Sequence, residues 1–181
     1  MRKIISLFER DYEGNRKVFN SVVNGAEWVV NGEGIATVKF DGTCCLVKNG
    51  KLFKRYEVKK DKTPPNDFIP ADNVDKNTGK QQGWRPVGDG NEDKYHREAF
   101  IGNEVDGTYE LCGEKIQGNP EKITGHKLIP HGKEILNDVP RDFEGIKEYL
   151  KDKNIEGIVW HHSDGRMVKI KKRDFDYTHK Q

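Results

Sequence analysis

The most reactive segment of this 181-residue sequence is a lysine placed directly before a tight turn. In segment 37–43 (TVKFDGT), Lys39 closes an alternating strand and Asp41-Gly42 then reverses the chain. A lysine amine is a nucleophile only when uncharged, and with an ordinary pKa near about 10.4 it is almost wholly protonated at neutral pH. Taken alone, K-x-D-G is a weak motif, and a lysine before a turn is also an ordinary surface feature.

A second cationic feature is the pair Lys169 and Lys171 on a predicted strand. Strand alternation places both side chains on one face and Val168 and Ile170 on the other. Two ammonium groups on one face can clamp a phosphate group, and their charge disfavours the protonated form of another lysine nearby. The alternative is a half-buried strand with a solvated lysine face.

Two glutamates, Glu110 and Glu156, lie at or beside predicted strands, and Asp41 lies in the turn after Lys39. Hard divalent cations prefer such carboxylate oxygens and usually keep several waters. Each acid taken singly is more often a surface residue. The case for a site therefore depends on their occurring together and in order.

Lys39 and its turn are followed in fixed order by four further elements: Arg55, 109–113 (YELCG), 156–159 (EGIV) and 169–171 (KIK). From about residue 34 to 173, this ordered set resembles motifs I, Ia, III, IV and V of the covalent nucleotidyltransferases, the superfamily of ATP-dependent DNA ligases, RNA ligases and capping enzymes. Three segments within it are similar to the vertebrate-type 5′-3′ RNA ligase family: 83–90 (GWRPVGDG), 94–98 (KYHRE) and 109–120.

This resemblance implies an ATP-dependent RNA ligase that works in three steps. Lys39 attacks the α-phosphorus of ATP to form lysyl-AMP, AMP moves to an RNA 5′-phosphate, and an RNA 3′-hydroxyl then displaces AMP. The expected partner is RNA with those two ends, and the expected cofactors are ATP and Mg²⁺ or Mn²⁺. Two alternatives stay open: a minimal nick-sealing DNA ligase, and an end-binding module without catalysis.

The resemblance also implies a role for particular side chains. The catalytic residues are Lys39, Lys169 and Lys171. ATP would contact Val38, Lys39, Arg55, Glu110, Val159, Lys169 and Lys171. The metal or its waters would bind Asp41, Glu110 and Glu156. RNA phosphates would bind Lys54, Arg55 and Arg85.

Local patterns predict the elements that must position these residues. Short β-rich runs separated by Asp-Gly and Asn-Gly turns favour antiparallel hairpins, at 35–40, 43–48, 52–58, 108–112, 158–162 and 167–170. Helical spacing predicts a helix over 143–150 with Asp142 as its N-cap, and a second helix over 12–23. Residues 59–83 read as a long surface loop, and Trp84 in the adjoining Gly-Trp-Arg-Pro segment is a candidate to stack on a base.

The expected fold is α+β: a nucleotidyltransferase core of antiparallel sheets, the ATP-grasp-like adenylation fold of ligases, with a nucleotide cleft. We expect a single adenylyltransferase domain over residues 1–181. Ten residues follow Lys171, too few for the OB-fold domain that DNA ligases and capping enzymes carry there. The sequence therefore predicts a minimal ligase without that C-terminal domain.

Composition excludes several classes of protein. No apolar run reaches the roughly 20 residues of a membrane helix, and no secretory signal core is present, so an intracellular, cytoplasmic-type monomer is expected. The three cysteines, Cys44, Cys45 and Cys112, form neither a disulfide framework nor a zinc knuckle. Lys and Arg (32) nearly balance Asp and Glu (30), but the charge is segregated, with cationic stretches at 48–62 and 166–174 and an acidic one at 89–114. This pattern suits an anionic ligand with a divalent ion.

Overall fold

The computed structural model describes residues 1–177 and shows an α+β architecture in which strands predominate. Its strands are β1 (Ile5–Ser6), β2 (Phe8–Arg10), β3 (Val18–Val22), β4 (Ile35–Lys39), β5 (Thr43–Lys48), β6 (Lys51–Val58), β7 (Ile69–Pro70), β8 (Gln81–Pro86), β9 (Gly107–Gly113), β10 (His126–Pro130), β11 (Gly157–His161) and β12 (Met167–Lys171). The helices are α1 (Glu27–Val30), α2 (Lys94–Ala99) and α3 (Phe143–Lys151), with 3-10 turns at Asn91–Asp93 and Lys172–Phe175.

The chain divides into two compact units, the first formed by Met1–Lys3 with Asp41–His131 and the second by Ile4–Phe40 with the residues from Gly132 onward. The second unit contains a four-stranded sheet in the order β1-β12-β11-β4 and the β2-β3 hairpin. β1 pairs with β12 in parallel, and the other neighbours in the sheet are antiparallel. One face of β11 and β12 is fully buried and forms the core of this unit, through Ile158, Trp160, Val168 and Ile170.

Helix α3 forms where the sequence predicts it and covers this core. The Asp142 carboxylate accepts a hydrogen bond of 2.8 Å from the backbone N–H of Gly145, which caps the helix N-terminus. Ile146 and Leu150, one turn apart, are completely buried against the sheet.

The first unit is built on a six-stranded antiparallel sheet in the order β10-β9-β5-β6-β8-β7. Its core contains Cys45, Val47, Tyr109 and Leu111 from the central strands. Burial raises the pKa of the Cys45 thiol above its ordinary value, which keeps the thiol protonated and unreactive. Cys112 is buried as well, and Cys44 is half-buried.

Four sequence-based expectations about elements are wrong. β4 and β5, on either side of Asp41-Gly42, do not form a hairpin, because β4 pairs within the four-stranded sheet and β5 within the six-stranded one. The predicted loop over 59–83 contains β7 and the start of β8. The predicted helix over 12–23 is instead a turn followed by β3, because Val22 and Val18 pair across to Phe8 and Arg10 on β2 and the ladder overrides the weak helical spacing. Trp84 lies in strand β8 and not in a loop, and it is only 3% exposed, so its ring is not available to a base.

Within residues 1–177, no helix is long and apolar enough to cross a lipid bilayer. The single domain over residues 1–181, the nucleotide cleft and the lack of an OB-fold stay predictions.

Candidate active site

The four-stranded sheet of the second unit brings Lys39 and Lys171 into one row. Gly157 on β11 pairs with Lys39 of β4 on one side and with Lys171 of β12 on the other. A Cβ atom at Gly157 would lie 2.1 Å from the carbonyl oxygen of Ile170, closer than real Cβ contacts allow. A glycine at this position therefore lets the central strand lie close to β12 between the two lysines.

Glu156, the residue before Gly157, joins these two lysines. Glu156 is only 5% exposed, and its two carboxylate oxygens lie 2.5 Å from the Nζ atoms of Lys39 and Lys171. Burial raises the pKa of Glu156, but the charges of Lys39 and Lys171 outweigh it, so the pKa lies below the ordinary value. The glutamate is therefore ionised, and it fixes the positions of both amines.

Lys169 lies in a second row on the same face, two residues from Lys171. This row runs from Thr37 through Val159 and Lys169 to Ser6. Burial, and then the charges of Lys171 and Lys39, lower the pKa of Lys169 to about 8. The Lys169 ammonium makes no salt bridge or side-chain hydrogen bond to any residue in the described range. Of the two lysines predicted to share a face, Lys171 is therefore paired with Glu156 and Lys169 has no ion-pair partner among those residues.

Because the folded chain disfavours the charge on Lys169, we expect Lys169→Met to stabilise the protein near neutral pH. The cost of the charge is complete at pH below about 8, shrinks as the pH rises towards the unfolded-state pKa of 10.5, and is then absent. The expected gain in the free energy of unfolding is on the order of 2 kcal/mol at pH 7 and fades with rising pH. Urea unfolding at pH 7 and at pH 9.5 measures it.

The matched control is Lys151→Met on the solvent side of α3, where the lysine is exposed and makes an ion pair of 3.3 Å with the exposed Glu148. This variant should show no comparable gain. A loss of stability in Lys169→Met at pH 7 would contradict the electrostatic interpretation of Lys169.

In the first unit, the backbone of Asp41 and Gly42, which follow Lys39 closely, is hydrogen-bonded to two carboxylates. The backbone N–H of Asp41 donates to Glu121 at 2.9 Å, and that of Gly42 donates to Glu110 at 3.1 Å. A Cβ atom at Gly42 would lie 2.2 Å from the carbonyl oxygen of Leu111, so only glycine fits this close approach. The Asp41-Gly42 segment is therefore a bend between β4 and β5 that Glu110 and Glu121 hold in place, and not the predicted hairpin turn.

Glu110 also forms a small cluster that sequence spacing does not reveal. His131 lies 2.8 Å from one Glu110 oxygen through Nε2, and its Nδ1 lies 3.0 Å from the hydroxyl of Thr108. The sulfur of Cys44, a Glu110 oxygen and a His131 ring nitrogen all lie within 4.8 Å of one another. Register explains the cluster, because Cys44 pairs directly with Glu110 between β5 and β9.

The side chains predicted to bind nucleic acid are engaged within the first unit. Lys54 donates to both oxygens of the buried Asp93, at 2.6 and 2.7 Å. Arg85 makes two hydrogen bonds, of 2.8 and 3.0 Å, to the carboxylate of Asp67.

The third of these cations, Arg55, lies over the ring of Trp84 with its guanidinium carbon 4.8 Å from the ring centroid. It also donates to the carbonyl of Met1 at 2.7 Å. Burial lowers the pKa of Arg55 from its ordinary value, although a guanidinium stays charged at neutral pH. Trp84 thus serves as a platform for Arg55.

The two valines predicted to contact the nucleotide differ in their placement. Val159 lies on the lysine face of the sheet and is 8% exposed. Val38 points to the opposite face, and its backbone N–H already donates to the carbonyl of Glu134 at 2.8 Å. The side chain of Val159 is therefore placed beside the lysines, whereas that of Val38 is not, and a nucleotide contact through the backbone of Val38 stays a prediction.

Comparison with known proteins relates this chain to one family. Residues 97–179 match a family model described as RNA ligase 1. That range includes Glu110, Glu156, Lys169 and Lys171 and begins after Lys39.

Curated proteins support the same relationship. The chain is 26% identical to the RNA ligase 1 proteins of Mus musculus and of Rattus norvegicus, over 75% of its own length and 65% of theirs. A shorter match, 42% identical, covers 35% of the chain and 22% of RNA ligase 1 from Pongo abelii. The chain thus spans just under two thirds of the length of the mouse and rat proteins. The chain is thus similar to RNA ligase 1 proteins, through the family model over residues 97–179 and through the mouse and rat proteins over most of its length.

Proposed function

We propose that this chain is an ATP-dependent RNA ligase that joins RNA 5′-phosphate and 3′-hydroxyl ends through a lysyl-AMP intermediate on a nucleotidyltransferase core. The observation that carries the proposal is the cross-strand row in which Glu156 binds Lys39 and Lys171 at 2.5 Å each, with the uncompensated Lys169 beside it. A nucleophilic amine next to a clamp of cations is the arrangement that attack on a phosphate requires. The relationship to RNA ligase 1 supports RNA as the substrate.

In the first proposed step, the Nζ atom of Lys39 attacks the α-phosphorus of ATP. A P–N bond forms, the bond from the α-phosphorus to the bridging oxygen breaks, and pyrophosphate leaves with that electron pair. Nζ must lose one proton to solvent beforehand, and it loses a second to solvent as the neutral phosphoramidate N–H forms. The charges of Lys169 and Lys171 favour this loss, while the Glu156 carboxylate opposes it, so withdrawal of Glu156 from Nζ belongs to the step.

Lys169 and Lys171 also act on the phosphate side of the reaction. Their ammonium groups neutralise the non-bridging oxygens on which negative charge develops. In the later steps, AMP passes from Lys39 to an RNA 5′-phosphate oxygen, and a 3′-hydroxyl then attacks that 5′-phosphorus and releases AMP. The same two cations would serve each transfer, because each one displaces a group at a phosphorus.

The carboxylates fit the proposed Mg²⁺ or Mn²⁺ to different degrees. The Asp41 carboxylate has no hydrogen-bond partner in the part of the chain that the structure describes. Both Glu110 oxygens accept protein contacts, and both Glu156 oxygens are paired with lysines. The carboxylates of Asp41 and Glu110 suit an ion that keeps several waters and meets most of these oxygens through them. Glu156, with both oxygens held by lysines, suits a metal less. When bound, such an ion supplies positive charge to the phosphate oxygens.

For the RNA, the ion pairs favour Arg85 over Lys54 as the phosphate contact. The Arg85–Asp67 pair is exposed, with 34% and 43% of the two side chains accessible, so solvent has already weakened it. Exchange of Asp67 for an RNA phosphate therefore costs little. Lys54 would have to leave the buried carboxylate of Asp93, which costs much more.

Incubation of the chain with α-labelled ATP and Mg²⁺ or Mn²⁺, and separately with 5′-labelled RNA or nicked duplex DNA, tests the function. We expect a labelled protein band and ATP-dependent sealing of the RNA. Sealing of DNA alone would point to a nick-sealing DNA ligase. Absence of a labelled band across pH 6–9 would reject ligase activity and favour an end-binding module.

A further inference from the structure

A cationic pocket of about 600 Å³ opens beside Lys169 and Lys171 in the second unit. Six of its nine lining residues are basic and one is acidic. The residues that line it are Ser6, Arg10, Asn15, Arg16, Lys17, Lys169, Lys171, Arg173 and Asp174. Among these nine residues, the sequence motifs predicted a role only for Lys169 and Lys171.

Three short elements build this pocket around the lysine row. Strand β1 places Ser6 directly opposite Lys169. The β2-β3 hairpin contributes Arg10 and the residues of its turn, in which Arg16 has a left-handed conformation with φ of 61°. The 3-10 turn that follows β12 contributes Arg173.

Two of the cations are neutralised within the second unit. Arg10 makes an ion pair of 2.5 Å with Asp174, which is 4% exposed. Lys17 makes one of 2.7 Å with the exposed Asp176. These pairs fix the hairpin turn next to the 3-10 turn.

Three other cations have no such compensation. Among residues 1–177, the side chains of Arg16, Arg173 and Lys169 make no salt bridge and no side-chain hydrogen bond. The hydroxyl oxygen of Ser6 is enclosed and likewise has no hydrogen-bond partner among those residues. The pocket therefore holds uncompensated positive charge and an unused donor.

Concave surfaces lined with one sign of charge concentrate the field and attract the opposite charge. The lowered pKa of Lys169 has burial as its main cause and crowding by other cations as the next, and a bound anion relieves the crowding. The volume lies in the range of sites for small molecules. The predicted occupant is a small anion with several charges.

We propose that this pocket binds the β- and γ-phosphates of ATP and the pyrophosphate that leaves, with Arg16, Arg173 and Ser6 as ligands. The proposal rests on the function proposed above, because Lys169 and Lys171 belong both to the α-phosphate clamp and to the pocket wall. Cations in the same pocket as the clamp stabilise the charge that the leaving pyrophosphate acquires when the P–O bond breaks.

A binding experiment tests the pocket without any catalysis. Inorganic pyrophosphate is titrated calorimetrically into the full chain without a divalent ion. The double variant Arg16→Asn, Arg173→Gln should weaken binding by about 10- to 100-fold, as expected for the loss of charge-assisted hydrogen bonds. Asn tolerates the left-handed conformation at position 16, and both arginines are exposed, so folding should be preserved. Lys151→Gln is the control and should bind as the wild type does.

A kinetic experiment identifies the source of the phosphate. For the double variant, kcat/KM for self-adenylylation with ATP should fall by about 10- to 100-fold, while sealing of chemically pre-adenylylated RNA stays within about twofold. Normal adenylylation with lost RNA sealing would show that the pocket binds an RNA phosphate and would overturn the proposal, as would wild-type behaviour in both assays.

The two proposals can fail separately. If the wild type forms no AMP adduct but binds pyrophosphate through Arg16 and Arg173, the proposed ligase function fails and the anion pocket stands. If the adduct forms and the variant binds pyrophosphate as the wild type does, the pocket assignment fails and the ligase function stands.

Discussion

Replacement of Lys39 by arginine is expected to abolish labelling of the protein by α-labelled ATP, with a loss of at least about three orders of magnitude. The guanidinium of arginine keeps the positive charge and can still pair with Glu156, which lies 2.5 Å from the Lys39 amine. It cannot be deprotonated at any usable pH, so it cannot attack phosphorus. Lys39→Ala should show the same loss.

The comparison of the two variants separates nucleophilicity from structural support. Lys39→Arg should keep nearly the wild-type stability, whereas Lys39→Ala leaves Glu156 with Lys171 as its one lysine partner and should be less stable. The wild-type adduct should be released by acid and resist alkali, because a P–N bond hydrolyses in acid. Persistent labelling of both variants would show that another residue carries the AMP.

Replacement of Asp93 by alanine is expected to cause the largest loss of stability, about 3–5 kcal/mol in the free energy of unfolding. Asp93 is 2% exposed and accepts hydrogen bonds from Lys54 at 2.6 and 2.7 Å and from the backbone N–H of Gly88 at 2.8 Å. Its removal leaves the Lys54 ammonium, mostly enclosed, without its counter-charge. Urea unfolding at pH 7 measures the loss.

The pH dependence of this loss has a definite sign. Burial raises the pKa of Asp93, but Lys54 and the Gly88 N–H outweigh it, so the pKa lies below the ordinary value. The stabilisation is therefore complete above the unfolded-state pKa of 3.8 and is lost as the pH falls through the folded-state value. The difference between wild type and Asp93→Ala should narrow in acid.

Asp67→Asn is the matched control for Asp93, because it breaks the exposed ion pair with Arg85. It should change stability little, since exposed pairs are largely screened by solvent. Equal losses in the two variants would contradict the contrast between a buried and an exposed pair. Lys54→Gln should also unfold more easily, and RNA sealing by the folded fraction should then be near normal if Lys54 is structural.

Local sequence patterns predicted the elements that depend on a helix cap, on apolar spacing or on turn residues. Asp142 and the apolar spacing after it predicted α3, and the turns at Asp41-Gly42 and Asn49-Gly50 predicted β5 and β6. The predicted hairpins are present at Asn49-Gly50 and Asp164-Gly165, where such turn residues determine how adjacent strands pair. No hairpin forms at Asp41-Gly42, because β4 and β5 lie in different sheets. The family relationship was also predicted correctly, since it depends on an ordered set of residues and not on their coordinates.

Local patterns could not predict the contacts that depend on how distant strands pair. Lys39 and Glu156 are 117 positions apart, and Arg10 and Asp174 are 164 apart, so only the pairing of distant strands brings them together. The sequence named Lys39 and Glu156 but could not show that they form an ion pair. Strand β8 was not predicted because it contains Gly83 and Pro86, residue types that are uncommon in strands, although it pairs with β6 along its whole length.

The sharing of Glu156 between two lysines has a consequence for the proposed form of the protein in which Lys39 carries AMP. A phosphoramidate nitrogen has no positive charge, so the Glu156 carboxylate would then keep its ion pair with Lys171 and lose the one with Lys39. The modification would thereby loosen a tie between two strands that are not neighbours in the sheet, β4 and β12. Attachment of AMP to Lys39 on β4 would in this way change the freedom of β12, the strand that bears Lys169 and Lys171.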